Sequence, residues 1–127
     1  MATILLVDDD DQFRDMARVL LERQGHMVEI ARNGNEALAR YRELRPDLVI
    51  TDVIMPDMEG LETIRELRRI SADIKIIAMS GGGRKSTSMY LKHAKEMGAA
   101  AILAKPFSNL ELTQAIETAL ASEHDVL

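Results

Sequence analysis

The chain has no cysteine, which removes disulfides, thiolate metal sites and cysteine nucleophiles from consideration. Aromatic residues are almost as scarce: Phe13, Tyr41, Tyr90 and Phe107 are the whole set, and acids outnumber bases to leave a net charge of -5. Nucleic-acid binding calls for a basic face, commonly with aromatic rings on which bases stack. The chain as a whole has neither, so no direct nucleic-acid binding is expected. No apolar run approaches the ~20 residues of a membrane span. The opening "MATILLV" lacks the basic start and the apolar length of a signal peptide. A cytoplasmic protein without membrane insertion is expected. The 127 residues, 46% hydrophobic and 29% charged, have the balance of a soluble globular chain with a core of its own. With no repeat, linker or low-complexity tract, a single domain over 1–127 is expected.

Short apolar runs alternate with helical patterns. The strand-like stretches are Thr3–Val7, Met27–Ala31, Leu48–Thr51, Lys75–Met79 and Ala101–Ala104. The first, third and fourth are nearly continuous in apolar residues, as in strands buried on both faces of a parallel sheet. Helices are predicted over Gln12–Gln24, Asn35–Leu44, Leu61–Ile70, Ser86–Met97 and Asn109–Ser122. In the first, Phe13, Met16, Ala17, Leu20 and Leu21 form a one-sided apolar stripe. Gly25, Gly60 and Gly98 fall at helix ends or turns, and Ser108 is placed to cap the last helix. Five strands alternating with five helices predict a doubly wound α/β fold with right-handed crossovers and helices on both faces.

In such sheets, ligands bind beyond the carboxyl ends of the strands. Those ends carry Asp8 and Asp9 (first strand), Asp52 (third), Ser80 (fourth) and Lys105 (fifth). Each is unremarkable alone; their convergence on one edge is the signal. Carboxylate pairs at ~5 Å repel by roughly 3 kcal/mol at an effective dielectric near 20. A hard divalent cation with oxygen ligands offsets this best, and Mg²⁺ keeps waters that a phosphate can replace. Aspartate can also attack phosphorus and form an aspartyl-phosphate. Asp52, ending the most apolar strand, is the candidate nucleophile; Lys105 would offer positive charge to the phosphoryl oxygens and Ser80 a hydroxyl.

The ordered set "VDDD" (7–10), "DVIMPDMEG" (52–60), "AMSG" (78–81) and "AKPF" (104–107) resembles the receiver domain of two-component response regulators, of the chemotaxis-regulator kind. The resemblance covers essentially the whole chain. It implies a flavodoxin-like sheet of order 2-1-3-4-5 and phosphorylation of Asp52 by a partner histidine kinase or phosphotransfer protein. It further implies Mg²⁺ (or Mn²⁺) held by Asp8, Asp9, Asp52 and the backbone carbonyl of Ile54. Ser80 falls at the hydroxyl switch position, Lys105 at the family's lysine, and Lys105–Pro106 at a bond that is cis in the family. Asp10 is then the N-cap of the first helix and Asp11 a first-turn acid favoured by the helix dipole. A downstream protein target would be met through the fourth helix, fifth strand and fifth helix. Arg84, Lys85, Lys92 and Lys95 make that helix region basic, which suits either a docking surface or a solvated face.

The sequence departs from the family at Ile102, where a tyrosine or phenylalanine often stands, so Tyr90 or Met79 is left to fill space around an inward-moving Ser80. The loop "SGGGRKSTS" is glycine-rich and expected to be mobile. Ile54 and Gly82 offer no side chain to position an attacking water, so no fast self-hydrolysis is expected. Met55 and Met58 read as loop packing. His26, His93 and His124 show no metal-ligand spacing and read as surface residues. The chain is expected to be a switch, not a turnover enzyme, and its initiating methionine and charged tail favour a stand-alone regulator. Two alternatives stay open: a phosphorylation-independent interaction module, and an aspartyl-phosphate phosphatase for small substrates. A flavodoxin-like FMN carrier fits less well, because acids occupy the first strand-to-helix loop.

Overall fold

The computed structural model describes residues 2–53, 60–81 and 92–121. Five strands, β1 (Thr3–Val7), β2 (Met27–Ala31), β3 (Leu48–Asp52), β4 (Ile76–Gly81) and β5 (Ala101–Lys105), form one parallel sheet of order β2-β1-β3-β4-β5. The helices are α1 (Asp11–Arg23), α2 (Gly34–Leu44), α3 (Gly60–Ile70), α4 (helical over 92–96) and α5 (Asn109–Ala121). The doubly wound α/β reading and the 2-1-3-4-5 order are borne out.

Alternation along each strand sends side chains to two separate cores. Leu5, Val7, Val49, Ile76 and Ala78 meet Ala37 and Tyr41 of α2, Ile64 and Leu67 of α3, and Ala94 of α4. Ile4, Leu6, Leu48, Ile50, Ile77 and Met79 meet Ala17 and Leu21 of α1 and Leu112, Ile116 and Ala119 of α5. Strands β1, β3 and β4 are inner strands covered on both faces, which is why their sequences lack alternation.

Helix starts follow local chemistry. The Asp10 carboxylate accepts from the Gln12 and Phe13 amides, and the Asn33 side chain accepts from Glu36. At α5, the Glu111 amide donates to Ser108 Oγ at 3.0 Å while the Ser108 amide donates to Glu111 Oε1 at 2.8 Å, a reciprocal cap. Gly25 (φ 93°) and Gly98 (φ 103°) take left-handed turns after helices.

Three expectations are corrected. Strands β3, β4 and β5 run on to Asp52, Gly81 and Lys105 because ladder pairing continues through Asp52↔Met79, Ser80↔Ala104 and Gly81↔Lys105. On α1, Met16 is half exposed while Arg14 is buried, because the Arg14 guanidinium is drawn inward by the Asp8 carbonyl. His26 is half-buried, and its Nδ1 accepts from the Ala2 amide at 3.1 Å. Burial lowers the His26 pKa below its ordinary value. Expectations for Met55, Met58, Gly82, Gly83, Arg84, Lys85, Tyr90 and His124 fall outside the described residues.

Candidate functional site

The carboxyl ends of β1, β3 and β5 bring four charged side chains together. Asp8 is fully buried and Asp52 is 6% exposed, whereas Asp9 is exposed. One carboxylate oxygen from each of Asp8, Asp9 and Asp52 lies within 4.8 Å of the others. Lys105 Nζ bridges two of them, at 2.5 Å from Asp8 Oδ2 and 2.9 Å from Asp52 Oδ2. The other Asp8 oxygen accepts from the Asp10 amide at 2.9 Å. Asp8 is therefore held at both oxygens, and its position is not free to drift.

Electrostatics follow from this crowding. Burial acts to lower the Lys105 pKa, but hydrogen bonds to and charges on Asp8 and Asp52 outweigh it and hold the ammonium above its ordinary value. Although Asp9 is exposed at the surface, partial desolvation at the crowded site raises its pKa from the ordinary value, and the neighbouring Asp8 charge adds to the rise. One ammonium against three carboxylates leaves this group with an excess of negative charge.

The residues fit a hard divalent ion. Oxygens around Mg²⁺ at about 2.1 Å stand roughly 3–4 Å apart, so a trio within 4.8 Å needs only slight closure. The donor set is all oxygen, which suits Mg²⁺ or Mn²⁺ and not the softer metals. Ile54, whose carbonyl was expected as a further ligand, lies outside the described residues.

Ser80 stands one residue beyond the Asp52–Met79 pair, at the end of the strand next to β3. It is fully buried, and its Oγ has no hydrogen-bond partner among the described residues. A buried hydroxyl without a partner costs about 1–3 kcal/mol, a cost that a group able to accept its proton would remove. Ile102 is 40% exposed and does not fill the interior. The Lys105–Pro106 bond is cis.

Two residues at the site escaped the sequence reading. Arg14 is 5% exposed and bonds to the acidic turn, its Nη1 donating to the Asp8 carbonyl at 2.8 Å and its Nη2 to Asp11 Oδ1 at 2.5 Å. A cation this close to a helix N-terminus runs against the helix dipole, and that was the available clue. Phe13 places its ring centroid 4.0 Å from Lys105 Nζ. No local pattern marks this contact.

Comparison with known proteins agrees with the geometry. Residues 4–117 match the model of the response regulator receiver domain. The chain is 34% identical over 119 residues to a chemotaxis protein CheY of Halobacterium salinarum, covering 94% of this chain and 97% of that protein. It is 39% identical over 121 residues to the DNA-binding transcriptional regulator NtrC of Azospirillum brasilense, covering 95% of this chain but 24% of that longer protein. The crystal structure of a response regulator receiver domain protein from Clostridium thermocellum superposes with a TM-score of 0.87 at 31% identity, covering 94% of both chains. None of the described helices is long and apolar enough to cross a membrane. The family match spans most of the chain, and relatives of the same kind match it nearly end to end: it belongs to the response regulator receiver domain family.

Proposed function

We propose that this chain is a phosphorylation-controlled switch in which Asp52 accepts a phosphoryl group from a phosphohistidine on a sensor kinase or phosphotransfer protein. An Asp52 carboxylate oxygen forms the new P–O bond as the P–N bond to histidine breaks, and the imidazole leaves with the electron pair. The observation that carries the reading is the setting of Asp52: it is 6% exposed, ion-paired at 2.9 Å to Lys105, and within metal-sharing distance of Asp8 and Asp9.

Asp8, Asp9 and Asp52 would hold Mg²⁺ or Mn²⁺, with the Ile54 carbonyl completing the protein ligands by analogy with the family. When bound, the ion supplies the positive charge that offsets the carboxylates and attracts phosphoryl oxygens. Lys105 already touches Asp52 and would turn its ammonium to the phosphoryl group. Ser80 would donate its unpartnered hydroxyl to a phosphoryl oxygen, which draws the end of β4 toward the site. Moving a two-state equilibrium from 1:99 to 99:1 takes about 5.5 kcal/mol. Two or three hydrogen bonds to a charged group, at about 1.5–3 kcal/mol each, supply that. The output would be altered binding of a protein target at α4, β5 and α5, and the chain would not act as a turnover enzyme.

The test is intact mass after incubation with acetyl phosphate, with and without Mg²⁺, for the wild type and Asp52→Asn. One Mg²⁺-dependent phosphoryl adduct is expected, absent in the variant. No adduct on folded, Mg²⁺-binding protein would favour a phosphorylation-independent module, the alternative kept open by Ile102 at the family's usual aromatic position.

A further inference from the structure

Lys105 has a third neighbour besides its two carboxylates. Its Nζ lies 4.0 Å from the centroid of the Phe13 ring, within the range of a cation–π contact. Phe107 meets Phe13 edge-on, with centroids 5.7 Å apart and planes at 85°, the favoured arrangement for two aromatic rings. Both rings come from segments anchored by caps, Phe13 through its amide on Asp10 Oδ1 and Phe107 just before the Ser108–Glu111 cap. Beside them lies an open groove of about 440 Å³ lined by Phe13, Met16, Lys105, Pro106 and Phe107. Without the ring, that side of the ammonium would face water.

We propose that Phe13 is a positioning residue for Lys105, its ring face, braced by Phe107, holding the ammonium at the acid trio. The chemistry favours a ring over another acid at this place. An ammonium has three donors, and two are taken by Asp8 and Asp52. A fourth carboxylate would hold the third side but add charge to a site that already carries three. The ring attracts the cation through its quadrupole, adds no net charge and cannot ligate a metal. It also limits the rotamers open to a flexible four-carbon stem. The role in phosphoryl transfer rests on the function proposed above; the positioning of Lys105 does not.

The test compares full-length wild type, Phe13→Leu and Phe13→Tyr by two readouts. In proton NMR, the Lys105 methylene resonances should be shifted by the aromatic ring current in the wild type and Phe13→Tyr, and return toward ordinary lysine values in Phe13→Leu. In the acetyl phosphate reaction with Mg²⁺, Phe13→Leu should be slowed by about 3- to 10-fold, with Phe13→Tyr within about twofold of wild type. Phe107→Leu, which keeps the ring but removes its brace, should move the Lys105 resonances part of the way, and it serves if Phe13→Leu fails to fold. Unchanged Lys105 resonances in Phe13→Leu, or equal slowing by Leu and Tyr, would overturn the proposal. If the wild type takes no phosphoryl group, the proposed function fails and the resonances alone decide the positioning.

Discussion

A methyl group added at Gly60 would lie 2.1 Å from the Val53 Cα and 2.2 Å from the Asp52 carbonyl oxygen. Both are backbone atoms and cannot swing aside as a side chain would. The Gly60 amide donates to the Val53 carbonyl at 3.1 Å, so the start of α3 is pressed onto the chain just after the candidate acceptor. Gly60→Ala is expected to cost about 1–3 kcal/mol through overpacking, read as a lower urea midpoint at unchanged slope. An unchanged midpoint would show that α3 can lift away freely. From the sequence alone Gly60 is a helix end or turn, and it does begin a helix. Its closer role, as the place where two backbones touch, depends on a tertiary approach that no local pattern records.

At the scale of elements, the chain could be read where one element answers to its own sequence. Strands β1, β3 and β4 stood out because burial on both faces makes them uniformly apolar, and the caps at Asp10 and Ser108 follow from side-chain chemistry a few residues away. Ser108→Ala should therefore cost about 1 kcal/mol, measurable as a drop in thermal midpoint, while leaving the acid trio intact. A thermal midpoint equal to wild type would mean that packing alone sets the start of α5. What escaped the reading depends on a second element. Periodicity ranked Met16 as core and ignored Arg14, because the Asp8 carbonyl that draws Arg14 inward lies outside the helix. The Phe13–Lys105 contact joins the start of α1 to the end of β5, and only the strand order brings these together.

For the whole molecule, the site is an unusual concentration of charge at the end of a sheet whose interior is otherwise almost wholly apolar. Lys105 offsets two of its carboxylates, and removing it takes the ammonium away from Asp8 and Asp52 in low-dielectric surroundings. Lys105→Met is expected to lose about 3–5 kcal/mol of unfolding free energy at neutral pH. The sign with pH follows from the raised Lys105 pKa: its contribution is complete below 10.5 and is lost as pH rises past the higher folded value. In the variant the deficit should shrink on addition of Mg²⁺, the ion proposed for the folded acid trio. Denaturation curves at several pH values, with and without Mg²⁺, check both; a deficit indifferent to both would mean that the carboxylates are not the cause. The double duty of Lys105 also bears on how such a chain can change over generations. The residue that quiets the resting cleft is the one expected to greet the incoming group, so durability and responsiveness are coupled at a single position. A lineage that tightened the resting ion pairs would gain robustness and lose sensitivity, and one seeking a quicker response would have to find its stability elsewhere in the fold.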